Sequence, residues 1–309
     1  MKLIHCLGAT VISVTTLLAS SLTSAAPSLF DGFESKNLSS PTGPSPALNT
    51  NGFRWGGTNY TSVVGMLNGQ PTRVYAGSVI NEVMAGYDFN CYSNTYCLRF
   101  RYPAGGDMAE QRFDLGTSYR DVWFRYWLRV PNNYTHGSRS PSNHKFFALW
   151  MDAYEGSSPL LIWEFWGTSN GSSTLGYHFR QTGGSDGPHL DQKPFISVPT
   201  DRGRWMQVVI HAKAATSNSS NDGVVELWRR WSNESAFTKL HEYNSANFTP
   251  VSNNGWRYGY FMGWTNAPYA QETEWLMDDL TVSNESLLTS TPATIQSPPT
   301  APALSVQPR

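Results

Sequence analysis

Arginine, tryptophan and histidine recur at every second position along several runs of this chain. The clearest run is Asp121-Val-Trp-Phe-Arg-Tyr-Trp-Leu-Arg-Val130, stopped by Pro131. Side chains alternate faces along a strand, so Val122, Phe124, Tyr126, Leu128 and Val130 share one face and Trp123, Arg125, Trp127 and Arg129 the other. The first set is a core face. The second is not the Thr, Ser, Lys and Glu of an ordinary solvent face. Other runs repeat the bias: Arg99 and Arg101, Arg112, Trp166, His178 and Arg180, Trp205 and His211 all alternate with apolar or aromatic neighbours. If these strands lie in one bent sheet, the set merges into a cationic, aromatic surface. Guanidinium forks match carboxylate and sulfate, and indole faces suit the apolar C–H faces of sugar rings. The expected partner is a polysaccharide, anionic in character. The competing reading is arginine stems packed over indoles on a plain surface.

Three chemistries fit such a surface. β-Elimination from a uronic acid needs a cation to neutralise the carboxylate, a base for the C5 proton and an acid for the leaving oxygen. Arg112, Arg125 or Arg180 are candidates for the cation, His144 or His178 for the base, and Tyr258 or Tyr260 for the acid. Glycoside hydrolysis needs two carboxylates flanking the bond. Glu164, in Trp163-Glu-Phe-Trp166, is the best-placed acid and has no close Glu-X-Asp-X-X-Glu partner. A lectin or binding module needs the groove alone. Asp31, Glu34, Asp278 and Asp279 are candidates for a structural Ca²⁺ site, because first and last strands often pair in jelly rolls and calcium takes several oxygen ligands. No organic-cofactor motif is present: there is no P-loop, no His-Glu-X-X-His and no nucleophile elbow.

The elements that must position these residues are short strands separated by turn clusters, the pattern of an all-β sandwich, and no long helix is apparent. Of 309 residues, 39% are hydrophobic, 15% charged and 14% aromatic, with 12 tryptophans and a net charge of -1. That composition supports a sizeable core and offers no global attraction to nucleic acid or a membrane surface. Residues 1–26 read as a signal peptide, with Lys2, a diluted apolar stretch and Thr23-Ser24-Ala25-Ala26 for cleavage. The stretch is too short and interrupted for a membrane span. Secretion is the expected destination. Residues 27–286 form the expected domain, and residues 287–309 read as a Ser/Thr/Pro-rich disordered tail. Cys91 and Cys97 remain as an even pair in an exporting context and are expected to be disulfide-bonded.

Several segments carry a resemblance. Asp31-Gly-Phe-Glu-Ser35 and Trp275-Leu-Met-Asp-Asp-Leu-Thr-Val282 resemble the opening and closing strands of carbohydrate-associated jelly rolls. Glu110-Gln-Arg-Phe-Asp114, Trp123-Phe-Arg-Tyr-Trp127, Lys145-Phe-Phe-Ala-Leu-Trp150, Gly203-Arg-Trp-Met-Gln207 and Asn221-Asp-Gly-Val-Val-Glu-Leu-Trp228 resemble middle strands of polysaccharide-lyase-like members of the concanavalin A-like superfamily. The resemblance covers most of residues 29–283 and implies a jelly-roll β-sandwich of two antiparallel sheets. The chain departs from the Arg-X-Glu-X-Arg and Gln-X-His strands of alginate-lyase-like families, and Tyr258-Gly-Tyr260 is a loose counterpart of their closing strand. No catalytic role therefore carries over by motif.

Overall fold

The structure, a computed structural model, describes residues 28–36, 38, 52–74, 81–151, 154, 159–181, 190–217, 219–249 and 255–288. The signal-peptide expectation and most of the expected tail lie outside the described residues. The first strands are β1 (Ser28–Asp31), β2 (Arg54–Asn59), β3 (Thr61–Leu67), β4 (Gln70–Val74), β5 (Asn81–Val83) and β6 (Tyr96–Tyr102). Next come β7 (Met108–Tyr119), β8 (Asp121–Arg129), β9 (His144–Trp150), β10 (Leu160–Gly167), β11 (Ser173–Arg180) and β12 (Leu190–Ile196). The last are β13 (Trp205–Lys213), β14 (Gly223–Trp231), β15 (Thr238–Ala246), β16 (Trp256–Trp264) and β17 (Thr273–Ser283). No helix occurs among the described residues.

The strands form two antiparallel sheets. The larger has ten strands in the order β15-β14-β13-β8-β17-β6-β3-β4-β5, with β1 beside β17. The smaller has seven, in the order β12-β11-β10-β9-β16-β7-β2. The expected all-β sandwich is what the chain forms, and its first and last strands do pair, Asp31 opposite Leu280. Inward side chains from both sheets interdigitate. Phe124 of β8 packs against Phe113 of β7 (ring centroids 5.4 Å apart) and Phe147 of β9 (5.2 Å).

Strict alternation fails at one place that matters. Trp163 pairs with Phe147 but Glu164 pairs with Lys145, so Phe146 is an extra residue in β9. Such a bulge re-aims the side chains beyond it. Phe146 and Phe147 both enter the core. Lys145 consequently faces outward with Ala148 and Trp150, while His144 turns inward.

The alternating Trp/Arg face of β8 has the expected register, but it belongs to the larger sheet and is covered. Trp123, Arg125, Trp127 and Arg129 are each under 10% exposed. The cover is neither a helix nor a sheet but two straps of chain. Residues 84–95, closed by the Cys91–Cys97 disulfide, lay Tyr92 on Trp127 (3.7 Å) and bring Asp88 onto Arg129. At the other end Leu287 and Leu288 pack with Trp123 and Trp228, and the Leu287 carbonyl accepts from Arg125 Nη1 at 3.0 Å. The tail therefore does not begin as free chain at residue 287.

Candidate functional site

The outer face of the smaller sheet gathers the remaining chemistry. Strand register places it in rows. Arg180, Leu160, Trp150, Tyr258 and Asp114 follow one another across β11, β10, β9, β16 and β7. The next row is His178, Ile162, Ala148, Tyr260 and Arg112. Beyond the bulge, Glu164 stands beside Lys145, and Glu110 occupies β7. The backbone of Gly263 marks where three of these converge: a Cβ there would meet the Tyr260 ring at 3.0 Å, Lys145 Cβ at 3.1 Å and a Glu110 carboxylate oxygen at 3.5 Å.

Glu164 is the electrostatic hub. Its Oε1 accepts from Lys145 Nζ and, at 3.0 Å, from Asn143 Nδ2. Its Oε2 lies 3.5 Å from His178 Nδ1. Burial pushes the carboxyl upward, but the His178 hydrogen bond and the Lys145 charge outweigh it and hold the pKa down to about 2. Glu164 is thus an anion at any ordinary pH. Tyr260 shifts the other way. Burial raises its phenol, and Glu110 and Glu164 add to the rise, so it keeps its proton at neutral pH. Glu110 pairs with Arg112 Nε, whose guanidinium lies 4.8 Å over the Tyr154 ring. Asp114 is bound by Arg257 at 2.9 Å and Arg54 at 3.3 Å. Among the described residues, Arg54, Arg112, Lys145, Arg180 and Arg257 outnumber Glu110, Asp114 and Glu164 on this side.

A cavity of about 590 Å³ opens at the β2–β7 edge of this face, lined by Arg54, Glu110, Arg112, Asp114, Tyr154 and Tyr258 among others. A larger one, about 980 Å³, lies among loops at the far end of the sheet. Its imidazole, His136, is tied to the Tyr134 hydroxyl at 3.0 Å and the Ser142 carbonyl at 2.6 Å. Neither lining includes Glu164, Lys145, His178 or Tyr260; the smaller cavity is lined by Glu110, Arg112 and Asp114 of the same sheet face.

The expected residues divide accordingly. Arg112, Trp166, His178, Arg180, Tyr258 and Tyr260 are brought together here. Arg99, Arg101, Trp123, Arg125, Trp127, Arg129, Trp205 and His211 lie on the larger sheet's outer side, so the single merged face does not exist. Several of these have structural partners: Arg99 and Arg101 pair with Glu272 and Glu274, and Trp123 stacks on His211 at 3.8 Å. His144 is fully buried between the sheets, with Nε2 at 2.7 Å from the Tyr102 hydroxyl and Nδ1 at 2.9 Å from that of Tyr269. Burial drives its pKa well below the usual range. Such a histidine holds the core together and cannot meet a substrate. Sequence reasoning passed over Lys145, Glu110, Trp150 and Tyr154. The bulge hid Lys145, and Glu110 was visible only as an alternating charge in β7.

Among the described residues, no three or more His, Cys, Asp or Glu side chains gather to hold a metal ion. The four carboxylates proposed for calcium serve the protein's own donors. Asp31 accepts from Trp55 Nε1 (2.7 Å) and the Phe33 amide (2.8 Å). Glu34 accepts from the Thr95 and Tyr96 amides, Asp278 from the Ser93 amide and Asp279 from the Ser93 hydroxyl.

No protein-family model and no curated protein sequence matches the chain. Solved structures similar to it include alginate lyase Aly36B, 11% identical with a TM-score of 0.49 over 86% of this chain and 99% of that one. Alginate lyase vAL-1 from Chlorella virus is 10% identical, with a TM-score of 0.43 over 75% and 92%. The exoplasmic/lumenal domain of VIP36, bound to Ca²⁺ and Man3GlcNAc, is 10% identical, with a TM-score of 0.38 over 63% and 81%.

Proposed function

We propose that the chain is a secreted polysaccharide lyase that binds an acidic polysaccharide on the outer face of the smaller sheet and cleaves it by β-elimination. The observation that carries this is the Glu164 carboxylate holding Lys145 and His178 together, on the face where Tyr260 keeps its proton. Lys145, Arg112 and Arg180 supply positive charge to neutralise the uronate carboxylate, which makes the C5 proton acidic. Glu164 orients the His178 ring through Nδ1. His178 removes the C5 proton. The released electron pair forms the C4–C5 double bond, the C4–O4 bond breaks, and the Tyr260 hydroxyl gives its proton to O4.

Hydrolysis fits less well. A hydrolase acid needs a raised carboxyl pKa, and Glu164 is held low while Glu110 is paired with Arg112. The aromatic row Trp150, Tyr154 and Tyr258 also suits a lectin that holds glycan without cutting. The test is an ultraviolet assay for unsaturated uronates on polymannuronate, polyguluronate, polygalacturonate and glucuronan, with a neutral glucan as control. His178→Ala and Tyr260→Phe are each expected to lose at least about 100-fold in rate while still binding the polymer. Wild-type rates in both variants would remove these roles, and binding without any cleavage would leave the lectin reading.

A further inference from the structure

Among the described residues Trp264 is the one tryptophan among the exposed large hydrophobic side chains, 43% exposed at the end of β16. Its ring is also fixed in place. Trp264 Nε1 donates to Asn266 Oδ1 at 3.0 Å, Asn266 Nδ2 to Asn143 Oδ1 at 2.8 Å, and Asn143 Nδ2 to Glu164 Oε1 at 3.0 Å. Both ends of this chain are chemically one-way. An indole N–H only donates and an ionised carboxylate only accepts, so both amides in between have a single satisfactory orientation. The backbone repeats the tie, with the Asn266 amide donating to the Asn143 carbonyl at 3.0 Å.

We propose that Trp264 is a sugar-stacking platform, a substrate-binding residue that receives a pyranose ring of the polysaccharide next to the Glu164–Lys145 end of the cleft. This rests on the polysaccharide reading above and extends it by a subsite. The one polar atom of the indole is engaged by Asn266, which leaves the apolar ring face for the C–H face of a sugar. The hydrogen-bond chain sets that face at a constant position relative to Glu164, so a ring stacked on Trp264 is in register with the reacting centre. Asn143 and Asn266 act through Trp264 and Glu164 and are positioning residues.

The experiment is affinity electrophoresis of the full chain in gels containing each of the four polyuronates, with the elimination assay run beside it. Trp264→Ala is expected to weaken binding and raise KM about tenfold, the scale of one aromatic stacking contact, with kcat and melting temperature close to wild type. Trp264→Phe, which keeps an aromatic face, should recover most of the loss. Wild-type binding and KM in Trp264→Ala, while wild type binds a polymer, would overturn the platform and leave the lyase reading intact. A wild-type chain that binds none of the polymers would overturn both.

Discussion

His144 on β9 and His178 on β11 are the same residue type on strands of alternating pattern two places apart in the smaller sheet, and one bulge gives them opposite fates. The sequence shows His178 between Tyr177 and Phe179 and His144 between Asn143 and Lys145, with nothing to say that Phe146 is an extra residue. His144→Ala is expected to leave the Tyr102 and Tyr269 hydroxyls without their shared partner in a dry core. That costs about 1–3 kcal/mol or more, read as a lower urea midpoint, and an unchanged midpoint would contradict the assignment. His211 gives a pH-dependent case. It lies 2.9 Å from Asp121 and 2.7 Å from Glu226. Burial lowers its pKa, but those two hydrogen bonds outweigh burial and raise it. A raised folded-state pKa contributes stability that is fully present below the unfolded value and is lost as pH rises through the folded value. Glu226 is lowered, against its own burial, by His211 and Lys239. Its contribution is present above its unfolded value and fades as pH falls through the folded one. The melting-temperature gap between wild type and His211→Gln should therefore be widest in mildly acidic buffer and shrink toward alkaline pH. A gap that is constant with pH would refute the double ion pair.

Strands were the most legible element. The runs at residues 121–130 and 205–212 follow period-2 alternation closely enough to give their core faces, and the runs read at 224–230 and 258–264 lie within β14 and β16. What alternation leaves open is which strand neighbours which. β8 presents Trp123, Arg125, Trp127 and Arg129 on its outer face and β11 presents His178 and Arg180, and alternation does not say that they belong to different sheets, because pairing is decided by non-local contacts. The straps over the larger sheet were equally hidden, since Tyr92 and Leu287 sit in segments of loop composition. Leu287 is 5% exposed against Trp123 and Trp228, so Leu287→Ala should cost about 2 kcal/mol, the lower end of buried leucine truncations. Denaturant unfolding measures it, and a change within error would show that the strap does not bear on stability. A chain ended after Ser286 should show at least the same loss.

At the scale of the whole molecule, a sandwich has two outer faces, and this chain uses them differently. The Trp/Arg face of β8 in the larger sheet is covered by its straps, and Arg99, Arg101, Arg129 and His211 are matched in ion pairs. The smaller sheet's face holds the His178–Glu164–Lys145 group, in which His178 and Lys145 are about a fifth exposed while Glu164, like Trp150 and Tyr260 beside it, is under 10% exposed. Near the closing strand, burial first and then neighbouring carboxylates raise the pKa values of Asp278 and Glu34, and burial raises that of Asp279. A calcium ion at these groups would offset the repulsion. A melting temperature that rises with added Ca²⁺ and falls with chelator would support the expectation drawn from their sequence positions, and one that ignores both would end it. The central claim is which face meets the glycan, and binding measured by affinity electrophoresis in polyuronate gels tests it most directly. Arg112→Ala combined with Arg180→Ala should abolish retardation, while Arg101→Ala on the larger sheet should be retarded like wild type. The reverse pattern, with loss in Arg101→Ala and none in the double variant, would contradict the account.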